Sequence, residues 1–260
     1  MEKIKVCIII PAYNEEKRIG ATLEEYGNFY SKIKKESIEI LVVINNTRDK
    51  TEEVVKKYQK KFENIRFLNF KQGGKGFAIT EGFRYALEKK FDLMGFVDAD
   101  CATPPNAFYD LITNIQEYDG IIANRWDKRS KLPIKQPFLR RFISRIFNFM
   151  VRCLFFLNFR DTQCGAKLFK RKAIEKVFGD LKVSAWVFDV NILYAMKKKS
   201  LKVRDFPTYW IDKEGSTVYP LKTSFNMFLG IIRLRMINSP LDKFSKPLKP
   251  LIRKVWGSLK

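Results

Sequence analysis

The sequence predicts an α/β fold, a mostly parallel sheet with helices on both faces. Three observations predict it: short apolar runs alternate with helical stretches, the first four runs are each followed by such a stretch, and polar motifs collect just past the runs. In order, "KVCIII" (Lys5 to Ile10) is the first strand and Glu16 to Lys35 the first helix. "IEILVVI" (Ile38 to Ile44) leads to a helix over Thr51 to Phe62, and "IRFLNF" (Ile65 to Phe70) to one over Gly76 to Lys90. "LMGFV" (Leu93 to Val97) leads to Pro105 to Glu117, and "GIIA" (Gly120 to Ala123) is the fifth strand. In open sheets of this kind ligands bind beyond the carboxyl ends of the strands. There stand "PAYNEE" after the first strand, "NNTRDKT" after the second and "DAD" after the fourth.

The second half is less regular. "QPFLRRFISRIFNFMVRCLFFLNF" reads as one or two amphipathic helices, "DTQCGAKLF" as a returning strand and "WVFDVNILYAMKKK" as a further helix. Residues 1–240 are expected to form one domain, with 138–159 its amphipathic, membrane-facing part and 241–260 a basic tail.

Composition narrows the chemistry. The chain has 260 residues, 46% hydrophobic and 30% charged, enough for a real core and unlike a disordered segment. It contains no histidine, which excludes histidine bases, Ser-His-Asp arrangements and histidine metal ligands. Cys7, Cys101, Cys153 and Cys164 form no CxxC pair, so neither a zinc site nor a disulfide framework is indicated, and a reducing compartment fits. The opening residues meet Pro11 too early for a signal peptide. The longest apolar stretch, Phe142 to Phe159, holds Arg145 and Arg152 and is expected to lie on a membrane rather than cross it. The net charge of +22 is concentrated: residues 121–160 hold ten Lys/Arg against Asp127 alone, and 231–260 hold eight against Asp242. The partner should be anionic.

Against that charge, Asp98 and Asp100 stand one residue apart at a strand end. Extended backbone would point both the same way, so a cation is the natural partner. A Mg²⁺ or Mn²⁺ clamp completed by phosphates is one reading; a strand-terminating turn before Thr103-Pro104-Pro105 is the other. "KQGGKGFAITEGF" lacks P-loop spacing but could open a helix with Lys75 beside phosphates.

Taken together, "IIIPAYNEE", "VVINNTRDKT", "GGKGFAITEGF", "GFVDADCATPP", "ANR", "DTQCGAKLFKR" and "WVFDVNILY" resemble glycosyltransferase family 2, from about Lys5 to about Asn238. Within it the likeness is to the dolichyl- and polyprenyl-phosphate hexosyltransferases, β-glucosyltransferases among them, through "DTQCG", "FDV" and "EGS". The resemblance implies a GT-A, Rossmann-like fold and inverting transfer of a hexose, glucose favoured, from a UDP-sugar to dolichyl or polyprenyl phosphate at the cytoplasmic face of a membrane. It implies that Pro11, Ala12, Tyr13, Glu15, Asn45 and Lys75 hold the nucleotide sugar, together with Asp98, Ala99 and Asp100. Asp98 and Asp100 would also hold the Mg²⁺ or Mn²⁺. Arg125, Arg140, Gln163, Cys164, Gly165 and Trp186 would line the sugar and acceptor side, with Arg125 and Arg140 near phosphates and Asp189 counted among the catalytic residues. Trp186 also reads as core, and Asp189 as a helix-capping partner.

One departure stands out. Where the family usually has Val-Asp-Asp-Gly-Ser, this chain has Ile44, Asn45, Asn46 and Thr47, so the base-reading carboxylate falls on Asn45, whose amide could face uracil or cytosine by flipping. A phosphate acceptor is already anionic at neutral pH and needs no strong general base. Transfer to a saccharide or protein hydroxyl would instead need one, such as Asp189 or Asp161. A basic nucleic-acid or membrane-binding module without catalysis is the other class, but a nucleic-acid groove would not carry two aspartates at its binding edge. For the membrane, Phe142, Phe149, Phe155 and Phe156 are expected to enter the acyl boundary, with Arg141, Arg145 and Arg152 toward headgroups.

Overall fold

The computed structural model describes residues 3–134, 137–181, 187–213 and 220–239. The first five strands stand where the apolar runs place them: β1 (Lys5–Ala12), β2 (Ser37–Asn45), β3 (Ile65–Phe70), β4 (Leu93–Phe96) and β5 (Gly120–Asn124). Between them run α1 (Ile19–Tyr30), α2 (Thr51–Lys61), α3 (Lys75–Glu88) and α4 (Pro105–Asn114). The first helix begins three residues later than expected, because the Glu15 carbonyl already accepts the N–H groups of Arg18 and Ile19 and closes a turn before it.

Beyond β5 come α5 (Phe138–Phe155), β6 (Lys167–Lys170), α6 (Arg171–Val177), α7 (Phe188–Lys198), β7 (Val203–Pro207) and α8 (Pro220–Ile237). The strand expected over "DTQCGAKLF" is confined to its last residues, and "DTQCG" is a loop. The seven strands form one sheet in the order β3-β2-β1-β4-β6-β5-β7. All pairings are parallel except those of β6, which runs antiparallel to both β4 and β5. The mostly parallel sheet is therefore mixed, with β6 reversed between β4 and β5.

Alternation along β1 divides the core in two. Val6, Ile8 and Ile10 face a layer shared with α1 and α4, whereas Cys7 and Ile9 face a layer shared with α3 and the helices of the second half. Burial on both faces explains why the central strands read as continuous apolar runs rather than as an alternation.

The stretch expected to form one or two amphipathic helices is the single helix α5, packed beside α8. Phe147, Val151 and Phe155, at i, i+4 and i+8, line its buried side. Phe138, Phe142, Ile146 and Phe149 are exposed on the other, followed by Phe156 just past its end. This corrects the expectation for Phe155: it is 1% exposed, against 65% for Phe149, and belongs to the core. Among the described residues no helix is long and apolar enough to cross a membrane. The 241–260 tail lies outside the described residues, as do Trp186 and the "EGS" of Glu214 to Ser216.

Candidate active site

β4 stops at Phe96, and Asp98, Ala99 and Asp100 follow on a turn that ends with Cys101 in left-handed backbone (φ 55°). The two carboxylates are thus brought together by the turn and not, as expected, by the pleat of an extended strand. Asp100 accepts the Ala102 N–H at 3.0 Å. Burial raises its pKa, and the neighbouring Asp98 charge raises it further. Burial acts the same way on Asp98, but the Lys75 ammonium outweighs it and holds that carboxyl below the usual carboxylate range.

Lys75 is the first residue of α3 and reaches Asp98 Oδ1 at 2.7 Å. Its entry depends on Gly74, whose φ of 124° a side chain rarely tolerates. Asn45 pins that turn. Its Oδ1 accepts the Gly74 N–H at 3.0 Å, and its Nδ2 donates to the Ala12 carbonyl at 3.1 Å. The amide is buried and both its ends engage backbone, so it is fixed in one orientation. The expected freedom to flip toward different bases is absent, and Asn45 instead ties the ends of β1 and β2 to the start of α3.

Behind Lys75 lies a buried chain of charge. Lys75 Nζ is also 3.5 Å from Asp189 Oδ2, at the start of α7. Asp189 Oδ1 pairs with Lys167, whose side chain is 0% exposed and which also donates to the Cys164 carbonyl at 2.5 Å. Both ammonium groups stand over the Phe96 ring, Lys75 at 5.9 Å and Lys167 at 5.3 Å from its centroid. Among the described groups, Asp189 is therefore engaged by two cations. Sequence reasoning missed Lys167. Its signal was a lysine inside the apolar run "GAKLF", a residue type almost never fully buried unless paired.

The "DTQCG" loop closes the other side. A Cβ on Gly165 would lie 1.9 Å from Asp98 Oδ2, so only glycine lets this loop approach the carboxylate. Cys164 is buried, and its N–H donates to Asp161 at 3.1 Å. Gln163 presents a buried side-chain nitrogen without a hydrogen-bond partner among the described residues. Asp161 is held by Arg125, whose Nε and Nη2 reach its two oxygens at 2.7 and 2.9 Å. Burial opposes the charge on Asp161, but Arg125 outweighs it and lowers the pKa. Arg125 also stands 5.2 Å from the Trp210 ring. It is thus engaged inside the fold rather than extended toward a phosphate. Arg140 pairs with Asp212 at 3.1 Å on the exposed side and not with any group of the Asp98 turn.

At the end of β1, Tyr13 is exposed and Pro11 half-buried. Ala12 and Ala99 are buried and offer backbone: the Ala99 carbonyl accepts the Thr22 hydroxyl at 2.6 Å. Glu15 is bidentate with Arg18, at 2.8 and 2.6 Å. Burial nevertheless raises its pKa, helped by Asp100 and Asp98. Arg18, also missed in the sequence, lies within the field of the two aspartates.

Most of the sequence that builds this sheet and the Asp98 turn matches a known family. The model of glycosyl transferase family 2 covers residues 7–178. The chain belongs to that family. It is a glycosyltransferase. The dolichyl-phosphate beta-glucosyltransferase of Dictyostelium discoideum is 34% identical to it, over 90% of this chain and 75% of that one. The Homo sapiens protein of the same name is 29% identical, over 89% and 75%. Among solved structures, glucosyl-3-phosphoglycerate synthase from Mycobacterium tuberculosis in complex with UDP superposes with a TM-score of 0.64 at 14% identity, covering 89% of this chain and 79% of that one. S. aureus TarS in complex with UDP-GlcNAc gives 0.58 at 18% identity, covering 91% and 68%. These two likenesses show the fold.

Proposed function

We propose that this glycosyltransferase moves a hexose, glucose favoured, from a UDP-sugar to the phosphate of dolichyl or another polyprenyl phosphate, with inversion at the anomeric carbon. The names of the relatives supply the substrate class. The observation that carries the reading is the state of the carboxylates. Asp98 is paired with Lys75, Asp189 with Lys167 and Lys75, and Asp161 with Arg125. These three are held by cations instead of standing free toward a sugar or protein hydroxyl, whereas a phosphate oxygen attacks without a base.

The diphosphate would lie beside Asp98 and Asp100. Both present the hard oxygens that Mg²⁺ or Mn²⁺ prefers, and Asp98 is 41% exposed, open on one side. No described group of three His, Cys, Asp or Glu side chains surrounds them, so water and phosphate oxygens would complete such an ion's shell. Mn²⁺ accompanies UDP in a glucosyl-3-phosphoglycerate synthase structure of the same fold. Asp98 and Asp100 would hold such an ion, which would supply charge neutralisation to the departing nucleoside diphosphate. Lys75 adds a cation on the same side, and the unpartnered Gln163 amide offers a donor to a sugar or acceptor oxygen. Tyr13, exposed at the end of β1, is available to stack on the base.

A long-chain lipid phosphate stays in the bilayer, so the site must come to it. The exposed side of α5 is suited to bringing it there. Phe138, Phe142, Phe149 and, just beyond, Phe156 are apolar anchors, with Arg141, Arg145 and Arg152 on the same helix for anionic headgroups. The protein would sit peripherally on the cytoplasmic face, where its free cysteines stay reduced.

The test is transfer of labelled hexose from a panel of nucleotide sugars to dolichyl phosphate, with dolichol as control. UDP-glucose should be the best donor and dolichol inert. Transfer to hydroxyl acceptors with none to dolichyl phosphate overturns the reading. Phe149→Glu should weaken sedimentation with anionic liposomes while keeping the circular dichroism spectrum; unchanged sedimentation removes the membrane-docking part.

A further inference from the structure

We propose that Lys75 is a movable countercation, which blocks the Asp98 carboxylate to a divalent ion until the anionic donor draws the ammonium away. This rests on the reading of Asp98 and Asp100 as the ion and diphosphate site, and gives Lys75 a role that reading leaves open.

One flexible side chain here has two carboxylates within reach, Asp98 at 2.7 Å and Asp189 at 3.5 Å. The two are not equivalent. Asp189 is already neutralised by Lys167, which is fully buried and held on its other side by the Cys164 carbonyl. Among the described residues, Asp98 forms its ion pair with Lys75 alone. The Lys75 charge is therefore drawn to Asp98, the shorter contact. The two ammonium groups stand over the apolar ring of Phe96, so the polar ground open to Lys75 lies toward the carboxylates and the exposed side of Asp98.

The consequence is competitive. An ion of charge +2 approaching Asp98 meets an ammonium already on it, and like charges a few ångströms apart oppose one another strongly in a partly buried site. A diphosphate on the open side changes the balance. It offers Lys75 new oxygens, and Asp189 stands 3.5 Å away as the alternative resting place. Ion and nucleotide then bind cooperatively, each favouring the Lys75 position the other needs. Asn45 is a positioning residue in this scheme, because it fixes the Gly74 turn from which Lys75 projects.

The experiment measures Mn²⁺ binding directly, by electron paramagnetic resonance of the free ion, without turnover. Wild type, Lys75→Met, Lys75→Arg, Asp98→Asn and the double variant Lys75→Met with Asp98→Asn are compared with and without UDP. In the absence of nucleotide, Lys75→Met should bind Mn²⁺ at least about tenfold tighter than wild type, while Lys75→Arg, still cationic, stays near wild type. UDP should narrow the gap between wild type and Lys75→Met. Lys75→Gln, which keeps a donor for Asp98, should give the same ordering and replaces Lys75→Met if that variant does not fold. Affinity in Lys75→Met and Lys75→Gln no tighter than in wild type overturns the proposal, whether or not wild type binds Mn²⁺. So does tightening in Lys75→Arg equal to that in Lys75→Met. If wild-type binding is lost in Asp98→Asn while Lys75→Met matches wild type, the ion site stands and only the lysine's role falls. Tight binding that survives Asp98→Asn in the Lys75→Met background removes both.

Discussion

Lys167→Met should be the most damaging single change in the interior of this protein. Its ammonium is fully buried and joins Asp189 Oδ1 and the Cys164 carbonyl. Methionine has nearly the same length and leaves no cavity, so the loss isolates the charge. Asp189, 3% exposed, would keep only the longer contact to Lys75 at 3.5 Å. Removing one partner of a buried pair costs about 3–5 kcal/mol, because the remaining charge is left uncompensated. The surviving Lys75 contact places the expectation near the lower end, about 3 kcal/mol, a large part of the 5–15 kcal/mol that holds a typical domain together. In a domain of this size that lowers Tm by about 6–12 °C. The decisive arm is the double variant. Lys167→Met with Asp189→Leu replaces the pair by apolar groups of similar volume and should return to within about 1 kcal/mol of wild type. Urea unfolding followed by circular dichroism measures both variants against wild type, with m compared to check that the unfolded state is unchanged. A loss below about 1 kcal/mol in the single variant, or a double variant no more stable than the single, would show that the pair does not carry the charge balance assigned to it.

Gly165→Ala should cut kcat by at least about a hundredfold with circular dichroism unchanged, since its Cβ would meet Asp98 Oδ2 at 1.9 Å and displace the carboxylate; activity within threefold of wild type contradicts this. Asn45→Asp should lower stability by about 1–3 kcal/mol, because the donor to the Ala12 carbonyl is lost and a carboxylate oxygen takes its place. It should leave the ranking of uridine and cytidine donors as it was, measured by competition between the two nucleotide sugars. Burial pushes the Asp205 carboxyl up to about 6, and its Oδ1 is buried without a partner among the described residues. A folded-state pKa above the unfolded one means that the native state binds the extra proton. The contribution is full below about pH 4 and is lost as pH rises toward about 6. Asp205→Asn should therefore raise stability at pH 7 by about 1–2 kcal/mol and flatten that decline, read from urea midpoints between pH 4 and 7; a destabilised variant at pH 7 refutes it.

The sequence by itself determined the first five strands, the helices between them and the place of the polar motifs past their ends. β1, β2, β4 and β5 are buried on both faces and read as near-continuous apolar runs, β3 is the half-exposed edge, and the alternation of run and helix dictates a parallel sheet. It also determined which residue types could act, because a chain without histidine and with Asp98 and Asp100 past a strand has few other ways to handle an anionic ligand. Tertiary structure alone decided the direction of β6, since the four residues Lys167–Lys170 carry no sign of which way their neighbours run. It decided that Phe155 packs inward while Phe149 faces out, because α5 carries phenylalanine on both sides and its period does not say which side the core takes. It decided, above all, the partners of the charges. Asn45 meets Gly74, Lys75 meets Asp98 and Asp189, and Lys167 meets Asp189, across 22 to 114 positions of chain. A carboxylate's role depends on the cation that stands within 3 or 4 Å of it, and that distance is set by how the sheet, α3 and α7 pack rather than by any local pattern.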